Sequence, residues 1–359
     1  MNKKIWWSLA AIVVIIIIIF IFRGNSGGTK QVIKIGVVAP VSGSYAAYGA
    51  TLAKGVQMAA ADLSKQQTKY SYQVIVEDDT SNAATAASAA SKLINIDKVK
   101  AIITTTSGSG NAVKSQAAAA GVIHVCDCTD VSIGNAPYNF TNLILPKDEA
   151  RAWLTEAQRR GNTKIAILAQ IHPGAKALID ALLPQVASTS LRIVSNESFD
   201  GNSRDFNTLV TKAKSSGADI YLIEGYPPSL DIISKELMNA GIKNISTMGL
   251  FTTSPNPAQY NGLWYTDATL TDPALKTRFE TAYPDIRFNA RTVPYGYDIF
   301  NMLVQSFEKD GDASSNLKSI TEYDGKVGKV TKAADSSNFR SEAAIWTVQD
   351  GDFVQNSKN

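Results

Sequence analysis

The chain has 359 residues, 45% of them hydrophobic and 19% charged, the balance of a globular α/β protein rather than a disordered or fibrous one. Its formal net charge of +3 resides in Lys3, Lys4 and Arg23, because residues 1–29 hold no acid. The remainder is neutral overall, so no basic patch or acidic tail argues for a nucleic-acid partner.

Residues 5–22 carry no charge and are dominated by Ile, Val, Ala and Trp. About 18 residues at 1.5 Å rise cover about 27 Å, close to the hydrocarbon thickness of a bilayer. A transmembrane helix is therefore predicted at 5–23, with 1–4 as a cytoplasmic tip and 24–30 as a flexible linker. The basic residues before the run favour keeping the N-terminus inside. The run ends in the bulky Ile21-Phe22 rather than a small-residue cleavage site, and no Cys follows to carry a lipid. Cleavage within 26–29, as for a signal peptide, is the alternative. Either way the body is expected outside the cytoplasm, in the periplasm or at the cell surface, and on the first reading anchored to the cytoplasmic membrane. About 330 residues remain, long for one core and suggestive of two domains.

In chain order, 33–40 reads as a buried strand and 48–63 as a helix with Ala53, Val56, Ala60 and Leu63 at helical spacing. Strand 72–77, helix 83–94, strand 101–106, helix 111–120 and strand 122–125 follow. The pattern then restarts with helix 149–160, strand 164–169, helix 174–186, strand 191–199, helix 206–215, strand 220–224, helix 229–240 and strand 245–249. Helices 272–283 and 294–309 come later, and 340–354 looks like closing strands. Strands alternating with helices imply parallel sheets covered on both faces. Two such runs imply two doubly wound domains. Ligands of such sheets bind beyond the carboxyl ends of the strands, which singles out the loops at 39–50, 105–111, 127–133, 170–174, 225–229 and 250–255. Their Ser, Thr, Tyr, Gly, Asp and His content suits a small polar ligand.

No catalytic motif stands out: there is neither a P-loop nor a Gly-x-Ser-x-Gly elbow, and no enzyme activity is expected. Thr106-Ser107-Gly108-Ser109-Gly110 follows a strand and precedes a helix, where free amides suit a carboxylate or phosphate. An ordinary capped turn is the competing reading. His172 lacks a partnered nucleophile and reads as pocket lining or solvated, while His124 reads as a satisfied core histidine. Asp78 and Asp79 read as caps of the following helix. Cys126 and Cys128 are the two cysteines. A bridge across so small a ring would be strained, so buried thiols or pocket lining are expected. No metal site and no cofactor are expected.

Residues 33–43, Tyr48-Gly49 and Gly55-Val56-Gln57-Met58-Ala59 resemble the opening of the branched-chain (Leu/Ile/Val-type) amino-acid-binding proteins, type I periplasmic substrate-binding proteins of ABC transporters. Glu77-Asp78-Asp79, the loop around Ser107, Ala120-Gly121-Val122-Ile123, residues 219–226, Met248-Gly249 and Gly296-Tyr297-Asp298 extend the resemblance over about residues 31–350. It implies two α/β lobes joined by three crossings, near 147–150, 266–271 and 325–332, closing on a ligand like a hinged clamp. The first lobe would take 31–148 plus 270–326, and the second 149–269 plus 327–359. It implies capture of a small molecule, an amino acid or related compound, for an ABC transporter permease. The alternative is a sensor that presents its closed form to a separate receptor or kinase.

The resemblance places a carboxylate-binding Ser at Ser107, next to Gly108. The partner Thr position falls on Asp130, with Cys128 and Thr129 beside it. The acid that commonly holds the ammonium after Met-Gly is replaced by Phe251. Aromatic walls fall on Tyr48, Tyr226 and Tyr295, with His172 near another. Either Asp130 takes over the ammonium, or the ligand is not an α-amino acid and suits an apolar, partly aromatic pocket with a polar end. Glu224 is a spare acid at a strand end.

Overall fold

The structure, a computed structural model, describes residues 30–43, 45–332 and 335–357. The apolar run at 5–22 and the membrane anchor expected there lie outside the described residues. Among those described, no helix is long and apolar enough to cross a membrane.

The first half builds β1 (Val32–Ala39), α1 (Ala46–Leu63), β2 (Ser71–Asp78), α2 (Ala83–Lys92), β3 (Ala101–Thr104), α3 (Ser107–Ala120), β4 (Ile123–Cys126) and β5 (Asn139–Asn142). Late in the chain β13 (Asn338–Phe339) joins them. The sheet order is β2-β1-β3-β4-β5-β13, and every pairing is parallel. β1, β3 and β4 are buried almost throughout, as strands covered on both faces must be.

The second unit holds α4 (Pro146–Arg159), β6 (Lys164–Gln170), α5 (Pro173–Val186), β7 (Arg192–Phe199), α6 (Asn207–Ser215), β8 (Ile220–Glu224), α7 (Ser229–Asn239) and β9 (Ile245–Ser246). Its parallel sheet runs β7-β6-β8-β9. A bridge from Met248 to Thr266 attaches β10 (Trp264–Ala268), which pairs antiparallel with β14 (Ala343–Gln349) and, through it, with β15 (Asp352–Gln355). Trp153 of α4 stacks on Trp264 at 5.7 Å, and its indole N–H donates to Ser246 Oγ, so the first helix of this unit is fastened to its sheet.

After β10 come α8 (Pro273–Ala282), α9 (Thr292–Glu308), α10 (Ala313–Ser319) and a hairpin of β11 (Glu322–Gly325) and β12 (Gly328–Thr331). α9 returns to the first sheet. Its Tyr295, Ile299, Phe300, Met302 and Leu303 share a core with Ile35, Val37, Leu52 and Val56. Each fully buried large apolar side chain contributes about 1.5–3 kcal/mol. The helices touch backbone to backbone: a Cβ at Gly55 would lie 2.2 Å from the Val293 carbonyl oxygen, and one at Gly296 would lie 2.5 Å from that of Leu52.

Several expectations are corrected. α3 begins at Ser107 rather than 111, because Thr106 Oγ1 accepts the Ser109 N–H and winds the Gly/Ser stretch into the first helical turn. The strand expected over 245–249 stops at Ser246, three residues before the turn at Gly249, whose φ is +84°. Asp78 and Asp79 do not cap α2, which is capped by Asn82. Asp78 instead accepts the N–H groups of Val41, Ser42 and Thr80 and so ties the β1 loop to the β2 loop, while Asp79 accepts the Ser81 N–H within its own loop and the Ser109 hydroxyl of α3. Cys126 and Cys128 are joined in a disulfide. The expectation of free thiols rested on the strain of so small a ring. β4 ends at Cys126 and the backbone folds, leaving the two Cα atoms 5.3 Å apart, within ordinary bridging range. β13 pairs with β5, so residues 338–339, expected in the second lobe, lie in the first sheet.

Candidate functional site

The carboxyl ends of β1, β3 and β4 meet those of β6, β8 and β9 along a seam. Tyr48 enters it from the first turn of α1. Thr105, Thr106 and Ser107 come from the β3–α3 junction, and Cys128 and Thr129 from the loop after β4. The other wall holds Gly174, Ala175 and Leu178 of α5, Tyr226 after β8, and Met248 and Leu250 after β9. Arg291, just before α9, closes one end. They surround about 20 Å³, room for about one water. A larger solute enters only when the walls part.

Direct bonds join the walls. Thr129 Oγ1 donates to the Gly174 carbonyl at 3.2 Å, and Gln170 Nε2 donates to Tyr45 Oη at 3.2 Å. Rings cluster along the same line, Tyr45 and Tyr48 from one wall and Tyr226 and His172 from the other. Tyr226 lies 4.4 Å from Tyr45, 6.2 Å from Tyr48 and 5.2 Å from His172, centroid to centroid. Such pairs contribute about 0.5–1.5 kcal/mol each beyond burial. Ser107 Oγ accepts the Asp130 N–H at 3.2 Å and stands 3.4 Å from Thr129 Oγ1. The Ser107–Thr129 pair sits over the N-terminus of α3, whose first amides lack intrahelical acceptors. Ser109 is committed elsewhere: its hydroxyl donates to Asp79 and bonds Thr106.

Of the residues picked out from sequence, Tyr48, Ser107, Cys128, Thr129 and Tyr226 line the seam together, and Gly108 follows Ser107 in the same turn. His172 stands behind Tyr226. Its Nδ1 accepts the Gly174 N–H and caps α5, and burial pushes its pKa down to about 4, so it is neutral at pH 7. The remaining three lie elsewhere. Asp130 accepts from Ser132 N, Ser132 Oγ and Asn111 Nδ2. Burial raises its pKa, but those bonds outweigh it and hold the carboxyl below the usual range. Asp130 borders an outer groove of about 740 Å³ with Lys147 and Arg340. Phe251 is fully buried and stacks on Tyr260 at 4.2 Å. Tyr295 is fully buried in the first core and bonds Ser341. His124 is a satisfied core histidine, 2.9 Å from Thr104 Oγ1 and 2.5 Å from Asn139 Oδ1.

Sequence reasoning missed Arg291 and the charges around it. Arg291 is 2% exposed. It donates to Glu149 of α4 and, through Nε at 2.9 Å, to Asp267 of β10. Both acids are fully buried. Burial raises each acid's pKa, and Arg291 opposes the rise. Gly249 makes room for the guanidinium: a Cβ there would lie 2.1 Å from Arg291 Nη2. The Met248-Gly249 pair was the available signal, but nothing in the sequence pointed from it to residue 291. Asp127 and Glu224 are also fully buried, and burial pushes both carboxyls well above the usual range, with Arg291 opposing only in part. Among the described residues no three His, Cys, Asp or Glu side chains are grouped to hold a metal ion.

The family model described as periplasmic binding protein matches residues 32–352. The Leu/Ile/Val-binding protein BraC3 of Rhizobium johnstonii is 25% identical over 323 residues, covering 83% of this chain and 87% of its own length. The leucine-, isoleucine-, valine-, threonine- and alanine-binding protein of Pseudomonas aeruginosa is 23% identical, covering 59% of this chain and 58% of its own. Among solved structures, the branched-chain amino acid transporter substrate binding protein LivJ of Streptococcus pneumoniae, in complex with isoleucine, superposes with a TM-score of 0.81. Its identity is 21%, covering 91% of this chain and 100% of that one. A solute binding protein of an ABC transporter from R. palustris, in complex with 4-hydroxybenzoate, gives a TM-score of 0.79 at 19% identity, covering 92% and 96%. Both structures share the fold.

Proposed function

Because the chain belongs to the periplasmic binding protein family, we propose that it is an extracytoplasmic solute-binding protein that captures a small ligand between two lobes and delivers it to an ABC importer. The observation that carries this reading is the seam itself. Its walls come from two separate parallel sheets, and they are held together by few direct bonds, notably Thr129 to Gly174 and the Tyr45–Tyr226 contact. Parting those walls exposes a surface that combines Ser and Thr hydroxyls with tyrosine rings, suited to an amino acid or an aromatic acid. The relatives' ligands, branched-chain amino acids and 4-hydroxybenzoate, fall in the same range.

On this reading Ser107, Gly108 and Thr129 form the polar wall, Tyr48 and Tyr226 the aromatic one, and Cys128 a side. The lobes divide where the chain passes between sheets: after β5, after β10 and after β13. Residues 5–23 hold the protein to the cytoplasmic membrane. No chemistry is done on the solute, and the closed form is what the permease reads.

The test is a thermal-shift screen against amino acids and aromatic carboxylates. A solute at about 100 times its dissociation constant adds about 2.7 kcal/mol of stability, a readily seen rise in melting temperature. A flat response across both classes refutes the reading.

A further inference from the structure

Both cysteines of the chain are spent on one bridge, and that bridge stands in the wall of the seam. Cys126 ends β4, and Cys128 lines the seam two residues later. A bridge that closes so short a loop restricts the unfolded chain little, so its worth as a staple is small. What it does fix is the turn between the strand end and Thr129. Thr129 Oγ1 donates to the Gly174 carbonyl of the other wall and stands 3.4 Å from Ser107 Oγ. The bridge is therefore adjacent in sequence to a bond that holds the walls together.

The two sulfurs differ in what can reach them. Cys126 is fully buried. A Cβ at Gly110 of α3 would lie 2.6 Å from Cys126 Sγ and 2.8 Å from Ile133 Cδ1, so the helix and Ile133 lie directly against this sulfur. Cys128 is 4% exposed and is the one of the pair that lines the seam. The space there, about 20 Å³, admits about one water and no thiol compound. Cys128 is thus shielded while the walls meet, and it is the sulfur uncovered when they part. An acceptor is also in place for a reduced Cys126. Its Sγ lies 3.6 Å from the Thr106 carbonyl oxygen, a position suited to a thiol S–H, which a bridged sulfur does not carry.

We propose that Cys126–Cys128 is a thiol-exchange site of the seam, attacked at Cys128 by a dithiol when the walls part and closed to it when they meet. One thiolate of the dithiol bonds to Cys128 Sγ as the Cys126–Cys128 bond breaks, and Cys126 leaves with the electron pair and takes up a proton. The second thiol of the dithiol then displaces Cys128 Sγ, which is protonated in turn. The dithiol loses two electrons and ends as its own disulfide, while the protein gains two thiols. The dithiol comes from outside, because the chain has no third cysteine. This rests on the reading of the seam as a cleft that opens and adds a redox input to it. Shut walls protect the bridge, and a cut bridge loosens the turn that carries Thr129.

The test uses the purified full-length chain in detergent, without denaturant. Glutathione traps the first step as a mixed disulfide, and tandem mass spectrometry after acid quenching locates it. We expect the adduct on Cys128 in at least tenfold excess over Cys126. Dithiothreitol followed by iodoacetamide trapping then measures the reduction rate. Thr129→Val, which removes the bond to Gly174, should raise that rate about fivefold. An adduct mainly on Cys126, equal adducts on both or no adduct at all overturns the proposal. A reduction rate in Thr129→Val equal to that of the wild type also overturns it. None of these results bears on solute capture, which the thermal-shift screen decides separately.

Discussion

Gly249→Ala tests the buried charge cluster directly. Gly249 has φ +84°, a conformation that costs an alanine about 1–2 kcal/mol. The added Cβ would also fall 2.1–2.4 Å from Nη2, Cζ and Nε of Arg291. A guanidinium is normally a movable tip, but this one is 2% exposed and held by both Glu149 and Asp267. Displacing it leaves two buried carboxyls without their cation, and breaking a buried pair costs about 3–5 kcal/mol. The expected total is about 4–7 kcal/mol, a large share of a typical domain stability of about 5–15 kcal/mol. The control is Gly217→Ala. Gly217 has φ +68° and nothing within 4 Å of the new Cβ, so only the backbone cost of about 1–2 kcal/mol applies. Urea unfolding followed by circular dichroism measures both. If Gly249→Ala loses no more than Gly217→Ala, Arg291 is not locked at this turn and the cluster argument fails.

Other outcomes are expected. His172 has a folded pKa of about 4, below the ordinary 6.5, and its Nδ1 must stay unprotonated to accept the Gly174 N–H. Its contribution is therefore present above pH 6.5 and is lost as pH falls from 6.5 towards 4, by at most about 3 kcal/mol. Melting temperatures at pH 7.5 and 4.5 should differ less in His172→Asn, which keeps a capping side chain, than in the wild type; equal differences would refute this. Ser107→Ala and Tyr226→Ala should each weaken solute binding in calorimetry by about tenfold or more while the far-UV spectrum is retained, and unchanged affinity in both would displace the site. Thr129→Val removes the bond to Gly174, worth about 1 kcal/mol. It should shift small-angle scattering of the solute-free protein towards a more open form, and an identical profile counts against that bond holding the walls. Reducing the Cys126–Cys128 bridge should lower stability by about 1–2 kcal/mol, since the closed loop is short, with no change expected in Cys126→Ser plus Cys128→Ser on adding reductant.

Most of the two alternating α/β runs was legible because buried parallel strands are short, continuous Val/Ile runs and the helices between them repeat apolar residues at helical spacing. β8 over Ile220–Glu224 matches its expected bounds residue for residue, since Tyr221, Leu222 and Ile223 cannot be left in water. β5, β10 and β13 were not legible. Asn139-Phe140-Thr141-Asn142 has no apolar run, yet all four residues are buried; His124, Lys114 and Asn338 bond the side chains of Asn139 and Thr141 from elsewhere in the chain, while Asn142 Oδ1 has no partner. Ser107, Thr129, Tyr48 and Tyr226 could be found from order and loop position, since loops after parallel strands gather at one edge of each sheet.

What sequence determined by itself was therefore local: which segments are strands or helices, that two parallel sheets result, and which loops gather at the carboxyl ends of their strands. What only the tertiary structure decided was which distant groups meet there. Arg291 joins Glu149 and Asp267 across separations of 142 and 24 residues. The same folding leaves Asp130 at an outer groove and buries Asp127 and Glu224, from opposite sheets, one hydrogen bond behind residues that line the seam. The physical reason is that periodicity and propensity act within a few residues, whereas burial removes the water that would otherwise satisfy a charge. Its worth is then set by neighbours that the chain supplies from far along its length.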